Sequence, residues 1–500
     1  MGNKPSTANS FENNAKKEKT NEQTNSEKTF SEIQATRGIP FNDCQKQVEK
    51  HTSVNKKTRL AFDDWVNVRL TKFITDLEWD NFLLDISAEE YRDIKDAVEE
   101  IVDFLLTEVG NVDTRLKTNV RDVIRVGSFH DNMEVGEVTS VEYQVVIDDI
   151  SDDNIVETII LREEGYDYVK VILTSECCKR YEDITLLENG KTRLKTVNGV
   201  VQLFHSKTVH SINILKEKNR CTIQRKTGKL ELVHDGISQS GIQTRIKCVW
   251  KDEKVINILI TPVIRTKAMT SIHAKMASSK TFFEQLHSVG FLVLKPMCTP
   301  LDVFQYSFEH VEAHVLKSID QTHRTLYRFL KFIVVGASSQ AIQEMNFFSD
   351  HVIGQLVIHH VTTCSADDRQ GNCAISLLHD MADDVKTFKK KKTAFIPSCY
   401  KTNVNIVPSE CRASVAENWN RTLEGLQHIA NYLINEVCCM PLYEYKHSIG
   451  NFVCLNNYTL KKDYFDKKSD TVAKKMDNTE RRQLVDAVGN RRFAVNFKTQ

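Results

Sequence analysis

Chemistry-bearing residues concentrate between positions 126 and 146. Val126-Gly127-Ser128-Phe129-His130 puts a Gly-Ser turn at the end of an apolar run, and Val141-Glu142-Tyr143-Gln144-Val145-Val146 follows it. A Gly-Ser turn after a strand presents backbone N–H groups and a hydroxyl to a phosphate. Residues spaced i, i+2 on a strand share one face. Two carboxylates so placed would bridge a pair of Mg²⁺ ions for phosphoryl transfer. Here only Glu142 is acidic, and Gln144 is a neutral, poorer ligand. An ordinary turn and an ordinary strand give the same letters.

These residues need a scaffold, and the periodicities supply one. Tyr91, Ile94, Val98, Ile101, Val102 and Leu105 recur at helical spacing and predict a long helix over Ser87–Val109, with Asp85 or Ser87 as its N-cap. The pattern then predicts strands over Val123–Val126, Glu142–Ile147, Tyr168–Leu173, Arg245–Trp250 and Val255–Pro262, with a helix over Val200–His210 packed on the sheet. From Phe283 onward helical periods dominate, over Ser307–Ser318, His323–Val335, Asp350–Thr363 and Ala374–Phe388. The expectation is an α+β fold: a mixed-sheet lobe with a long spine helix, then a C-terminal helical lobe.

Gly127-Ser128 followed by Glu142-Tyr143-Gln144-Val145-Val146 resembles the nucleotidyltransferase signature of the male-abnormal twenty-one (Mab twenty-one) family. Cyclic GMP-AMP synthase and the cGAS-like receptors belong to the same superfamily. Further segments agree in order: Gly165-Tyr166-Asp167-Tyr168-Val169-Lys170, Ile256 to Pro262, Ser307 to Glu312, Leu326 to Lys331, and Phe395-Ile396-Pro397 with Asn403 and Asn405. The resemblance spans roughly residues 60–410 and implies a two-lobed nucleotidyltransferase fold. Residues 58–285 would form the nucleotidyltransferase-like lobe and 286–460 the helical lobe.

The resemblance also implies a site. Gly127 and Ser128 fall where active members hold the triphosphate, and Glu142 falls on the first metal carboxylate. Gln144 and Leu259 fall on the other two, and Asn257, two residues before Leu259, is also uncharged. One acid in three leaves Mg²⁺ or Mn²⁺ poorly held and the charge that develops in phosphoryl transfer poorly stabilised. Glu134 and Glu137 in the loop 133–141, and Asp148 and Asp149, are the acids a shifted register would bring in; a solvated loop is the plainer reading. Lys331 matches a lysine that reaches phosphate, Ser349 a nearby serine, and Glu312 a retained pocket acid. Asp350 stands where an aromatic would stack on the base, and Gln305 where an arginine reads guanine. The expectation is a catalytically degraded signalling or scaffold protein that keeps the capacity to bind ATP or GTP. The alternative is an active cGAS-like receptor that joins ATP or GTP into a cyclic dinucleotide on binding double-stranded RNA or DNA in innate immunity.

Metal and charge signals are weaker. In cyclic GMP-AMP synthase a His-Cys-Cys-Cys zinc insert lies between two helices of the helical lobe; here Ser318-Ile319-Asp320-Gln321-Thr322 joins those helices directly, so the insert is expected to be absent. His359, His360, Cys364 and Cys373 offer nitrogen and sulfur ligands, but their spacing fits no standard finger, and packing on helix faces is the plainer reading. Cys177-Cys178 and Cys438-Cys439 read as buried thiols. Lys389 to Lys392 follow a helix, and residues 461–500 hold eleven Lys/Arg against six Asp/Glu. Such patches meet RNA or DNA phosphates, or are merely solvated.

With 500 residues, the chain is long enough for two or three domains. Lys+Arg and Asp+Glu are 67 each, so the chain is no polycation and any affinity for nucleic acid or membrane is local. Thirteen cysteines without repeated spacing or a preceding apolar leader read as reduced thiols. Residues 1–57, rich in Asn, Ser, Thr, Lys and Glu, read as a disordered tail. That tail opens Met1-Gly2-Asn3-Lys4-Pro5-Ser6, which fits N-myristoylation at Gly2. One acyl chain binds membrane marginally, so Lys16, Lys17 and Lys19 are the candidate second signal. The expected location is cytoplasmic, with peripheral membrane contact through Gly2 as a candidate and the nucleus left open.

Overall fold

The structure is a computed structural model. It describes residues 67–75, 86–267, 279–338, 348–364 and 370–407, apart from 69, 119–121, 136–137, 164–165, 299, 301 and 393, together with Leu426, Ile429 and Leu433. Gly2, the tail 1–57, Gly165, Cys438-Cys439 and the basic segment 461–500 lie outside the described residues.

Helix α1 (Ala88–Val112) begins where Ser87 Oγ accepts the Glu90 N–H at 3.1 Å, satisfying an otherwise orphan donor of the first turn. Its apolar stripe, from Ile94 through Val109, is buried and forms part of the main core. Strands β1 (Val123–Val126) and β2 (Ser140–Val146) pair antiparallel, with Val126 opposite Glu142. Then come β3 (Ile155–Glu163), β4 (Tyr166–Leu173), the short helix α2 (Ser175–Arg180) and the hairpin β5 (Thr185–Glu188) and β6 (Lys191–Leu194). A π turn over Thr196–Val201 leads into α3 (Gln202–Glu217), which packs beside α1. Strands β7 (Thr222–Gln224), β8 (Lys229–Ser240), β9 (Gln243–Trp250) and β10 (Lys254–Lys267) complete this half.

Strand β10 is the hub. Its first part pairs antiparallel with β9 and parallel with β2, and its last residues pair antiparallel with β11 (Phe291–Pro296), which follows α4 (Lys280–Val289). Strand β12 (Phe304–Ser307) pairs with β11 and β4. The sheet of twelve strands is therefore antiparallel at every junction but β2–β10, and it curls around β10. Residues 291–296 and 304–307 fall inside the span where helical periods were expected to dominate, yet both are strands of this sheet. The first is a short apolar run and the second a short alternating one, each too brief to mark its type alone, and they settle beside β10 and β4 because their backbone groups find partners there.

The helices that follow are α5 (Glu309–Leu316), α6 (Gln321–Ser338), α7 (Asp350–Thr363) and α8 (Gln370–Lys391). Helix α7 begins with Ser349 as its N-cap and spans the residues expected of it. The whole is an α+β fold, in which one core runs from α1 across the sheet to α8 and residues 394–407. No described helix is long and apolar enough to cross a membrane.

Candidate functional site

A cavity of about 270 Å³ opens between the β1–β2 turn, strands β11 and β12, and helices α5 and α7. It lies just under the range of about 300–1,000 Å³ usual for small-molecule sites. Gly127 and Glu142 form one side of its wall, and Lys295, Glu309, Glu312 and Asp350 stand elsewhere around it.

The turn explains its own glycine. Gly127 has φ +87°, a region where a Cβ collides with the carbonyl, and open space lies on the side a Cβ would occupy. Ser128 next to it is 3% exposed. Its hydroxyl is already engaged: it accepts from Lys331 Nζ, and lies within hydrogen-bond reach of both Glu134 and Asp350 Oδ2, the latter at 2.7 Å. The backbone of Ser128 also hydrogen-bonds Asp350. Lys331 is 2.8 Å from Glu134 Oε1 and 2.9 Å from Asp350 Oδ2, which closes a buried network. Burial works against the Lys331 ammonium, but Asp350 and Glu134 outweigh it and hold the group charged above its ordinary range. Burial also works against Asp350, but Lys331 and Ser128 outweigh it and keep the carboxyl below the usual range. Glu134, pressed by burial and by Asp350, is shifted up.

The structure brings Ser128, Lys331 and Glu134 together in a network beside the cavity, none of the three in its wall. Glu134 is no solvated loop acid, because it balances a lysine buried in the same place. Asp350, at the position of the stacking aromatic, is that lysine's second partner. Asp148 and Asp149 stay outside the site, paired with Arg265 at 2.6 Å and Arg180 at 2.7 Å.

Glu142 faces a second acid. Burial, and then the charge of Glu309, push its carboxyl up to about 7. Glu309 opens α5, and an acid in the first turn of a helix reads most simply as a partner for the helix dipole. Here Lys295 from β11 donates to Glu309 Oε1 at 2.8 Å, and Gln144 Nε2 donates to Oε2. Burial opposes ionisation of Glu309, yet Lys295 and His351 outweigh it and hold the carboxyl below the usual range. Gln144 Nε2 also reaches Ser307 Oγ at 3.2 Å. Leu259 stands beside Glu142 in the parallel β2–β10 pairing, so it shares Glu142's face but forms no part of the cavity wall; Thr261 stands beside Gln144. Asn257 instead donates to the Thr139 carbonyl at 3.2 Å, at the edge of the strand pair.

The remaining expected residues keep to the cavity but are tied up. Glu312, 4% exposed, accepts from Gln355 Nε2 at 2.6 Å and His351 Nδ1 at 2.8 Å. Burial disfavours the His351 cation, but Glu312 outweighs it, so the ring stays protonated above the ordinary imidazole range. Ser349 caps α7 by accepting the Val352 N–H at 3.4 Å. Gln305 donates to the Asn405 carbonyl at 2.9 Å.

One set of nitrogen and sulfur ligands converges elsewhere. His360, Cys364 and Cys373 meet His323, from the first turn of α6, with all four ligand atoms within 4.8 Å of one another. His359 is not among them; its ring stacks on Phe282 at 5.9 Å. Lys389, Lys390, Lys391 and Lys392 are exposed at the end of α8.

No protein-family model matches this chain, and no curated protein is significantly similar to it in sequence.

Proposed function

We propose that this chain is a catalytically degraded nucleotidyltransferase-fold protein of the Mab twenty-one and cGAS-like type, acting as a signalling or scaffold protein. The observation that carries the reading is the occupancy of both halves of the site by the protein's own charges. The Gly127-Ser128 turn and Lys331, the groups suited to a phosphate, already enclose the carboxylates of Glu134 and Asp350. On the metal side, Glu142 has Leu259 and Gln144 for neighbours, and the nearby acid Glu309 is neutralised by Lys295. A divalent ion needs several free anionic oxygens. Here an ammonium holds the position of positive charge, and a second cation beside it is repelled.

Glu309 also supports the second reading, an active cGAS-like receptor. It supplies a second carboxylate next to Glu142 if Lys295 and Gln144 turn away when ATP or GTP and Mg²⁺ or Mn²⁺ enter. One assay separates the readings. Purified protein is incubated with labelled ATP and GTP, Mg²⁺ or Mn²⁺, and double-stranded RNA or DNA, and the nucleotides are resolved by chromatography. We expect no new product. A product that disappears in Glu142→Ala and Glu309→Ala would overturn the degraded-enzyme reading.

A further inference from the structure

We propose that His323, His360, Cys364 and Cys373 form a structural zinc site that clamps the ends of α6, α7 and α8 together. The ligands come from the ends of three consecutive helices. His323 lies in the first turn of α6, His360 and Cys364 at the C-terminal end of α7, and Cys373 in the first turn of α8.

The geometry suits a tetrahedral ion. Cys364 Sγ and Cys373 Sγ are 3.6 Å apart. That separation is too long for a disulfide, and close to the ~3.8 Å edge of a tetrahedron whose Zn–S bonds are ~2.3 Å. The rings of His323 and His360 are 5.7 Å apart. Two thiolates and two neutral imidazoles cancel the charge of Zn²⁺, and such sets close structural sites rather than leave a position for substrate.

A second, independent observation points to a ligand. His323 is 4% exposed, and its Nδ1 is 2.5 Å from Asp320 Oδ2, so Nδ1 carries the proton shared with the carboxylate. The Nε2 lone pair is then aimed inward, and Nε2 is buried with no hydrogen-bond partner among the described residues. A carboxylate that orients a histidine in this way is the usual outer partner of a zinc ligand. Asp320 also caps α6 by accepting the His323 N–H at 3.0 Å, so one side chain fixes both the helix start and the ring tautomer.

The site would brace the helices behind the cavity. Lys331 lies eight residues past His323 on α6, ~12 Å along the axis, and Asp350 opens the helix that Cys364 closes. The test uses the full-length protein, purified under reducing conditions without chelator or metal-affinity tag. Inductively coupled plasma mass spectrometry should find about one zinc per chain. The double variant Cys364→Ser/Cys373→Ser should lose it. Asp320→Asn should keep the fold and weaken zinc about 10–100-fold in chelator competition. Replacement by Co²⁺ in the wild-type protein should give the visible bands of a tetrahedral ion and a thiolate charge-transfer band, which decides the matter even if the variants fail to fold. Protein that takes up neither ion, zinc retained in the double variant, or a Cys364–Cys373 disulfide in unfolded, alkylated protein would each overturn the proposal.

Discussion

Glu142 shows how a single side chain reports on its surroundings. Burial and the neighbouring Glu309 push its carboxyl from 4.5 up to about 7. The folded chain therefore binds this proton more tightly than the unfolded chain, and unfolding releases it across that window. Raising the pH draws the equilibrium toward the unfolded state, so the stability from this group is whole below 4.5 and lost as pH rises through about 7. Glutamine has nearly the same shape and cannot ionise. We expect Glu142→Gln to be about 1–3 kcal/mol more stable relative to the wild type at alkaline pH than at acid pH. Urea denaturation at a series of pH values measures this. A difference between the two proteins that stays constant with pH would mean that Glu142 is ionised at an ordinary pKa and that the cavity is wetter than its wall suggests.

At the level of elements, legibility followed periodicity. Helix α7 was readable over Asp350–Thr363, and β1 over Val123–Val126, because apolar spacing and a serine or turn boundary coincide there. Strands β5 and β6 were not, since Thr185–Glu188 and Lys191–Leu194 alternate too weakly to mark a buried face, and only pairing with each other and with β4 defines them. The site divides in the same way. Gly127, Ser128 and Glu142 stand out by residue type and order, whereas Lys331 is singled out only by the family resemblance. Glu134, Glu309 and Asp350 were not legible, because an acid in a loop or a first helical turn has a sufficient local explanation until folding sets a lysine against it. His323 carries no local signal for a related reason: only the packing of α6 against α7 and α8 brings it to Cys364. The β1–β2 turn offers a test at this scale. Nothing lies within 4 Å of the Cβ that Gly127→Ala would add, so the cost of that change is purely conformational. With φ at +87°, it should destabilise the protein by about 1–2 kcal/mol and leave the cavity open, as read by denaturant titration. No loss of stability would mean that the turn can relax to a negative φ.

Across the whole molecule, the segment 394–407 ties sheet to helices. Its Asn403 carbonyl accepts the Asp167 N–H at 3.0 Å, and its Asn405 carbonyl accepts from Gln305 of β12. Its Cys399 N–H donates to Gln355 of α7 at 2.7 Å. At the centre of this strap Lys401 Nζ is 3.2 Å from Asp167 Oδ2, with the two side chains 3% and 0% exposed, and 4.0 Å from the centre of the Tyr306 ring. A pair taken this far from water gives little net stability while intact, since desolvation offsets most of the attraction. Breaking it is another matter, because the surviving charge stays buried. Lys401→Met should therefore cost about 3–5 kcal/mol, and Lys401→Met/Asp167→Asn should recover much of that loss. Because one apolar core runs from α1 to the strap, the loss should shift a single unfolding transition rather than release the helices alone. Far-ultraviolet circular dichroism and tryptophan fluorescence would then give coincident curves, Trp250 being buried against α1, where its Nε1 donates to Glu90 at 2.8 Å. Two separated transitions in the single variant would instead mean that the strap, not the core, couples helices to sheet.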